Sequence, residues 1–150
     1  MDDVGNNIMP HIMNLKKILI FGVFDGVHDG HLSFISEAKS HGDQLVAVVA
    51  RDVVVEKLKG KLPKHNEVER IKELLEVPDV DLVLLGDPET GTYNVLKEVK
   101  PDIVFLGYDQ NLLCDDLNKA VGKKTIPNIE IITGLSYKPD TFHSSILNNK

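Results

Sequence analysis

At 150 residues the chain suits one compact domain with a sizeable core. Its 17 basic and 23 acidic side chains give a net charge of −6, which argues against nucleic acid as a partner of the whole surface. A single cysteine, Cys114, excludes an internal disulfide and a cysteine-cluster metal centre. No apolar run approaches the roughly 20 residues of a bilayer span, and no signal-peptide pattern opens the chain, so a soluble cytoplasmic protein without a membrane partner is expected.

Residues 1–15 lack a sustained period and read as a flexible N-terminal extension, with the domain proper over 16–150. Lys17–Phe24 (KILIFGVF) is an almost continuous apolar run, the pattern of a strand covered on both faces. Leu32, Ile35 and Ala38 then recur at helical spacing up to Gly42, a natural helix stop. The chain therefore turns from strand to helix across Asp25–Gly30.

The alternation continues with the strand QLVAVVA, helical material to Val77, the strand DLVLLG, a helix over Thr92–Lys100 closed by Pro101, the strand DIVFLG, a weaker helix near Asp115–Val121 and the strand IEIITG. A terminal helix is expected after Asp140. Asn66 and Glu69 form a capping-box pattern before Val68, Ile71, Leu74 and Leu75. Such strict alternation predicts a single-domain α/β chain, a Rossmann-like three-layer α/β/α sandwich around a five-stranded parallel sheet.

The first strand-to-helix junction holds two glycines and two histidines, His28 and His31. A helix N-terminus presents unpaired N–H groups and a partial positive charge, so an anion is stabilised there. Gly30 lets a phosphate approach the backbone closely. Two imidazoles added to that cradle donate to phosphoryl oxygens as charge grows during displacement at phosphorus. Ligands of such sheets bind beyond the carboxyl ends of the strands, where this junction falls. Arg51, Lys57, Lys59, Lys61, Lys64, Arg70 and Lys72 cluster in one stretch of an otherwise acidic chain, which fits a small polyanion such as a triphosphate.

The run Gly22-Val23-Phe24-Asp25-Gly26-Val27-His28-Asp29-Gly30-His31 resembles the (G/T)xFDxxHxGH signature of the cytidylyltransferase-like nucleotidyltransferases. The resemblance extends over roughly residues 16 to 147, and the segments VVARD and LGYDQ make it most similar to the archaeal-type FAD synthetases, which are FMN adenylyltransferases. It implies catalytic roles for His28, His31, Lys57 and Arg70, with Lys59 or Lys61 able to replace Lys57 and an i,i+4 surface ion pair as the alternative for Arg70. It implies nucleotide contacts from Val23, Phe24, Asp25, Gly30, Gly107, Tyr108 and Asp109, the last near the ribose hydroxyls or else a turn residue. Asp25 reads equally as a metal ligand or base and as a turn former. Ser144 and Ser145 match the terminal serine motif, as a second anion cradle or as plain helix caps.

The resemblance implies transfer of a nucleoside monophosphate from ATP or CTP to a phosphorylated acceptor, with pyrophosphate released and Mg2+ arriving on the nucleotide. FMN with ATP is the favoured pair. Glycerol 3-phosphate with CTP, or a sugar phosphate such as heptose 1-phosphate with ATP, are alternatives on the same scaffold, and a non-catalytic nucleotide sensor is the alternative of another class. A homodimer is expected by resemblance alone.

Overall fold

The computed structural model describes residues 15–89 and 91–134. In chain order these form β1 (Lys17–Gly22), α1 (Asp29–Lys39), β2 (Gln44–Val49), α2 (Asp52–Lys59), α3 (Glu67–Leu75), β3 (Leu82–Leu85), α4 (Asn94–Val99), β4 (Ile103–Leu106), α5 (Asn111–Gly122) and β5 (Glu130–Thr133). The five strands form one sheet in the order β3-β2-β1-β4-β5, and every pairing is parallel.

Alternate residues of each strand point to opposite faces, and both faces are covered. Ile18, Ile20, Leu45, Ala47, Val49 and Phe105 pack with Ile35 and Ala38 of α1 and Leu74 of α3. Leu19, Val46, Val48, Val104 and Leu106 pack with Val95 and Leu96 of α4 and Leu117 of α5 on the other side. The expected three-layer α/β/α architecture is therefore present.

Several element ends differ from the sequence expectation. β1 stops at Gly22, two residues before Phe24, because Phe24 takes a left-handed backbone (φ 54°) that no strand accommodates. Its ring folds back over Gly22, where a Cβ would lie 2.6 Å from the Phe24 ring, so a side chain at this position would displace the ring. In α1 the buried residues are Ile35 and Ala38, with Phe34 packed beside them, whereas Leu32 is 42% exposed. α5 begins at Asn111, earlier than expected, since Leu113, Leu117, Ala120 and Val121 make one apolar stripe that reaches its first turn. The helical material before Val77 is two helices, separated where Gly60 caps α2 in a left-handed conformation (φ 78°). The expected capping box at α3 is formed: the Asn66 side chain accepts from Glu69 N–H at 2.9 Å, and the Glu69 carboxylate accepts from Asn66 N–H at 3.0 Å. Most of the N-terminal extension and the expected terminal helix lie outside the described residues.

The strand order reverses between β1 and β4, and this is where the sheet opens. β1 is in register with β4 only at Ile18↔Ile103 and Leu19↔Val104, whereas its register with β2 runs from Lys17↔Gln44 to Gly22↔Val49. Beyond Leu19 the two central strands diverge, leaving a crevice at their carboxyl ends.

Candidate active site

The β1–α1 connection ends on His28, which caps α1. Its Nδ1 accepts from Gly30 N–H at 3.1 Å, and the His31 Nδ1 accepts from His28 N–H at 3.3 Å, so the two imidazoles form a capping box of their own. The rings stack with centroids 3.9 Å apart and planes 27° from parallel, and Phe24 meets the His31 ring edge-on at 5.5 Å. A neutral imidazole has one donor and one acceptor nitrogen. With both Nδ1 atoms accepting, both protons sit on Nε2, the nitrogen farther from the backbone. The capping arrangement thus fixes the tautomer that offers N–H groups to an anion.

Burial, and next the neighbouring His28, hold the His31 ring at a pKa of about 4, against an opposing hydrogen bond with the Gly26 backbone. His31 is therefore neutral at pH 7 and acts as a hydrogen-bond donor rather than as a cation. Unfolded histidine titrates near 6.5 and so binds a proton that the folded ring refuses until about pH 4. The resulting stability is complete above about pH 6.5 and is lost as the pH falls from there toward 4. Wild-type protein is accordingly expected to lose more melting temperature between about pH 7 and about pH 5 than His31→Gln, whose side chain does not titrate. Equal losses in the two proteins would refute the assignment of a buried neutral ring.

Asp25 staples this loop to the segment before α3, accepting from Lys64 N–H at 2.7 Å and His65 N–H at 2.9 Å. Burial works to raise its pKa, but these two N–H bonds, with His65 and Arg70 nearby, hold it below the usual carboxylate range. The His65 Nδ1 sits 3.4 Å from Asp25 and 3.5 Å from Glu73. A cavity of about 340 Å3 beside the loop is lined by Gly26, Val27, Glu73, Glu76 and Val77.

Arg70 lies beneath the same loop and is 0% exposed. Its Nε donates to the His65 carbonyl at 2.9 Å, Nη1 to the carbonyls of Val23 at 2.9 Å and Ala50 at 2.7 Å, and Nη2 to Asp52 at 2.6 Å. Asp52 also accepts from Glu67 N–H at 3.2 Å while Glu67 accepts from Asp52 N–H at 2.8 Å, so α2 and α3 cap each other reciprocally. The guanidinium ties together the ends of β1, β2 and the α3 entry.

Across the crevice, the Gln110 side chain accepts from Gly107 N–H at 2.7 Å and donates to the Phe21 carbonyl at 3.1 Å. It supplies, from a side chain, bonds that the diverging strands no longer make. The Gly107–Gln110 turn is thereby fixed against β1, opposite the histidine pair.

A sequence profile described as cytidylyltransferase-like matches residues 19–147. The chain belongs to the cytidylyltransferase-like family. Among its relatives, the FAD synthase of Thermococcus sibiricus is 40% identical over 133 residues, covering 87% of this chain and 89% of that protein. The FAD synthase of Thermoplasma acidophilum is 37% identical over 136 residues, covering 91% and 94%. A crystal structure of a lipopolysaccharide core biosynthesis protein from Thermoplasma volcanium superposes with a TM-score of 0.75 at 35% identity, over 83% of this chain and 100% of that one.

In this cytidylyltransferase-like chain, the sequence-derived residues fall in three places. His28, His31, Val23, Phe24, Asp25 and Gly30 share the β1–α1 loop, and Gly107, Tyr108 and the exposed Asp109 form the turn after β4. Lys57 stands exposed in the last turn of α2 and makes no hydrogen bond or ion pair with a described residue. Arg70 is not in the surface i,i+4 pair weighed from the sequence, since its ion pair is with Asp52 and its side chain is enclosed. Asp25 stands in the bend before Gly26, and each of its carboxylate oxygens accepts from one backbone N–H of the segment before α3. Ser144 and Ser145 lie outside the described residues. Gln110 and His65 were not singled out from the sequence as site residues; the only signal for Gln110 was its place at the end of LGYDQ.

Proposed function

We propose that the protein is an FAD synthase: a phosphate oxygen of FMN attacks the α-phosphorus of ATP, the new Pα–O bond forms as the bond from Pα to the β-phosphate bridging oxygen breaks, and pyrophosphate leaves with that electron pair. The observation that carries the reaction class is the stacked histidine pair, with both Nδ1 atoms bound to backbone, on a helix N-terminus at the sheet's switch point. The choice of FMN and ATP is supported by the FAD synthases that match most of this chain.

Each residue has a derived task in this reading. The Nε2–H groups of His28 and His31 and the positive end of the α1 dipole bind the triphosphate and stabilise the charge that moves onto the leaving pyrophosphate. A phosphoryl oxyanion is a stronger acceptor than a carbonyl, so the His31 proton leaves the Gly26 backbone for the ligand. Lys57, or Lys59 or Lys61 beside it, closes over the phosphates from the exposed end of α2. Arg70 acts as a positioning residue that holds the loop carbonyls, and Gly107, Tyr108 and Asp109 border the nucleoside. Ser144 and Ser145 provide a second anion cradle.

Among the described residues no group of three or more His, Cys, Asp or Glu side chains is placed to hold a metal ion. Mg2+ fits this donor set as an ion carried by triphosphate oxygens and water, where it neutralises the charge of the departing pyrophosphate. No described helix is long and apolar enough to cross a membrane. A cytoplasmic location follows from the substrates proposed, and a homodimer belongs to the same proposal, with Leu58, Leu62, Val68 and Leu75 exposed on the α2–α3 side.

The test is product formation by the purified protein with a panel of nucleotides and acceptors, resolved by chromatography. FAD and pyrophosphate in equal amounts from FMN and ATP are expected. Turnover of glycerol 3-phosphate with CTP, or of a sugar 1-phosphate with ATP, in place of FMN would overturn the acceptor. Nucleotide binding with no pyrophosphate from any pair would overturn catalysis and favour a sensor.

A further inference from the structure

A second cavity, of about 320 Å3, opens at the carboxyl ends of β2 and β3, on the flank of the β1–α1 loop away from the Gly107 turn. Arg51, Gly86, Asp87, Asn94, Val95 and Glu98 line it. We propose that this cavity holds the planar ring of the acceptor and that Arg51 is a specificity-determining residue for it, an inference that rests on the FAD synthase reading.

The walls are set before any ligand arrives. Arg51 follows β2 directly and its Nε donates to the Gly86 carbonyl at 2.7 Å, which pins the guanidinium plane. Its Nη groups make no hydrogen bond with a described residue, so they stay available as donors to ring carbonyls. A guanidinium also stacks on flat π-systems, which a lysine in its place does not. On the far lip, Asp87 accepts from the Thr92 hydroxyl, from Asn94 N–H at 2.5 Å and from Val95 N–H at 3.1 Å. Its carboxylate thus shapes the rim rather than meeting the ligand. The half-buried Leu84 and buried Val95 supply an apolar floor, the usual composition of a small-molecule pocket: apolar walls with a few polar groups.

The direction of the reaction selects this cavity. The attacking and leaving oxygens lie roughly in line through the α-phosphorus. If the nucleoside leaves the histidine cradle toward the Gly107 turn of β4, the acceptor body extends along the sheet the other way, over β2 and β3. β3 lies two strand spacings from β1, about 10 Å, a span that a ribityl-type tether covers. The cavity beside Gly26 on the opposite layer is lined by two carboxylates, Glu73 and Glu76, and by no cation, whereas here Arg51 offsets Asp87 and Glu98.

Steady-state KM values for FMN and ATP decide the matter, measured for wild type, Arg51→Ala and Asn94→Trp. Arg51→Ala removes a charged donor and is expected to raise KM for FMN about tenfold or more, leaving KM for ATP within about twofold. That change also cuts the bond to Gly86, so Asn94→Trp carries the test independently: the side chain is exposed at the rim, and an indole there fills the mouth. A selective rise in KM for FMN in both variants supports the assignment. An unchanged KM for FMN in Asn94→Trp, or equal rises for FMN and ATP, overturns it while FAD synthesis by the wild type still stands. A wild type that makes no FAD overturns the underlying reading instead.

Discussion

Replacing His28 or His31 is expected to lower turnover by on the order of 10²–10³, the scale for losing a preorganised donor to developing charge. Alanine is a poor choice for the measurement, because each ring also closes the capping box of α1 and its loss costs about 1 kcal/mol of stability. His28→Asn and His31→Gln separate the two effects. Asparagine is among the best N-caps and glutamine completes a capping box from the third helical position, so both variants keep the helix start. Neither side chain reproduces an Nε2–H beyond an Nδ1 anchored on the backbone. A near-normal unfolding midpoint with turnover reduced a hundredfold or more is the expected result. The double variant should be little worse than either single one, since stacked groups acting on one phosphate chain fail together. Turnover within threefold of wild type in both single variants would remove the histidines from the chemistry.

Arg70→Met carries the largest expected loss of stability. The enclosed guanidinium satisfies the carbonyls of Val23, Ala50 and His65 and neutralises Asp52. Its removal leaves three carbonyls without their partner and a carboxylate without its cation, and breaking one side of a buried ion pair costs about 3–5 kcal/mol. Whole domains are stable by only about 5–15 kcal/mol, so the variant is expected to unfold at much lower denaturant. Arg70→Lys should be nearly as harmful, because a single ammonium does not reach four acceptors on different segments. Urea unfolding followed by circular dichroism measures this directly. A residue whose main task was to contact nucleotide phosphate would show the opposite pattern: an almost unchanged midpoint and a raised KM for ATP.

The difference between these two residues explains what the sequence made legible. The strands were readable because a strand covered on both faces is a continuous apolar run, as QLVAVVA and DIVFLG are. The histidine pair was readable because its chemistry is local: two rings, two glycines and a helix start within a few positions. The role of Arg70 depends on Val23, Ala50, Asp52 and His65 meeting in space, and no periodicity announces such a convergence. From the sequence Arg70 reads as a phosphate-reaching arginine, with a surface i,i+4 pair as the alternative; in the fold its side chain is enclosed under the β1–α1 loop.

Turn chemistry hid other features. Phe24 has no residue-type signature for a positive φ, which glycine and asparagine usually take, and so the apolar pattern carries β1 through it. A non-glycine residue held there costs about 1–3 kcal/mol and is retained where the surroundings over-determine it. Here the 3%-exposed ring is clamped between Gly22 and His31. Gln110 and Asp87 are similar cases, loop side chains that replace backbone ladder or helix-cap bonds and so follow no strand or helix period. Leu32 misleads in the other direction, since an apolar residue in the first turn of a helix need not face the core.

A structure of the complex with an ATP analogue that resists cleavage between the α- and β-phosphates tests the central claim most directly. The account predicts both Nε2 atoms within hydrogen-bond distance of phosphoryl oxygens, both Nδ1 atoms still on their backbone N–H partners, and Arg70 still bound to Val23 and Ala50. A triphosphate seated elsewhere on the sheet, with the imidazole pair untouched by it, would contradict the account.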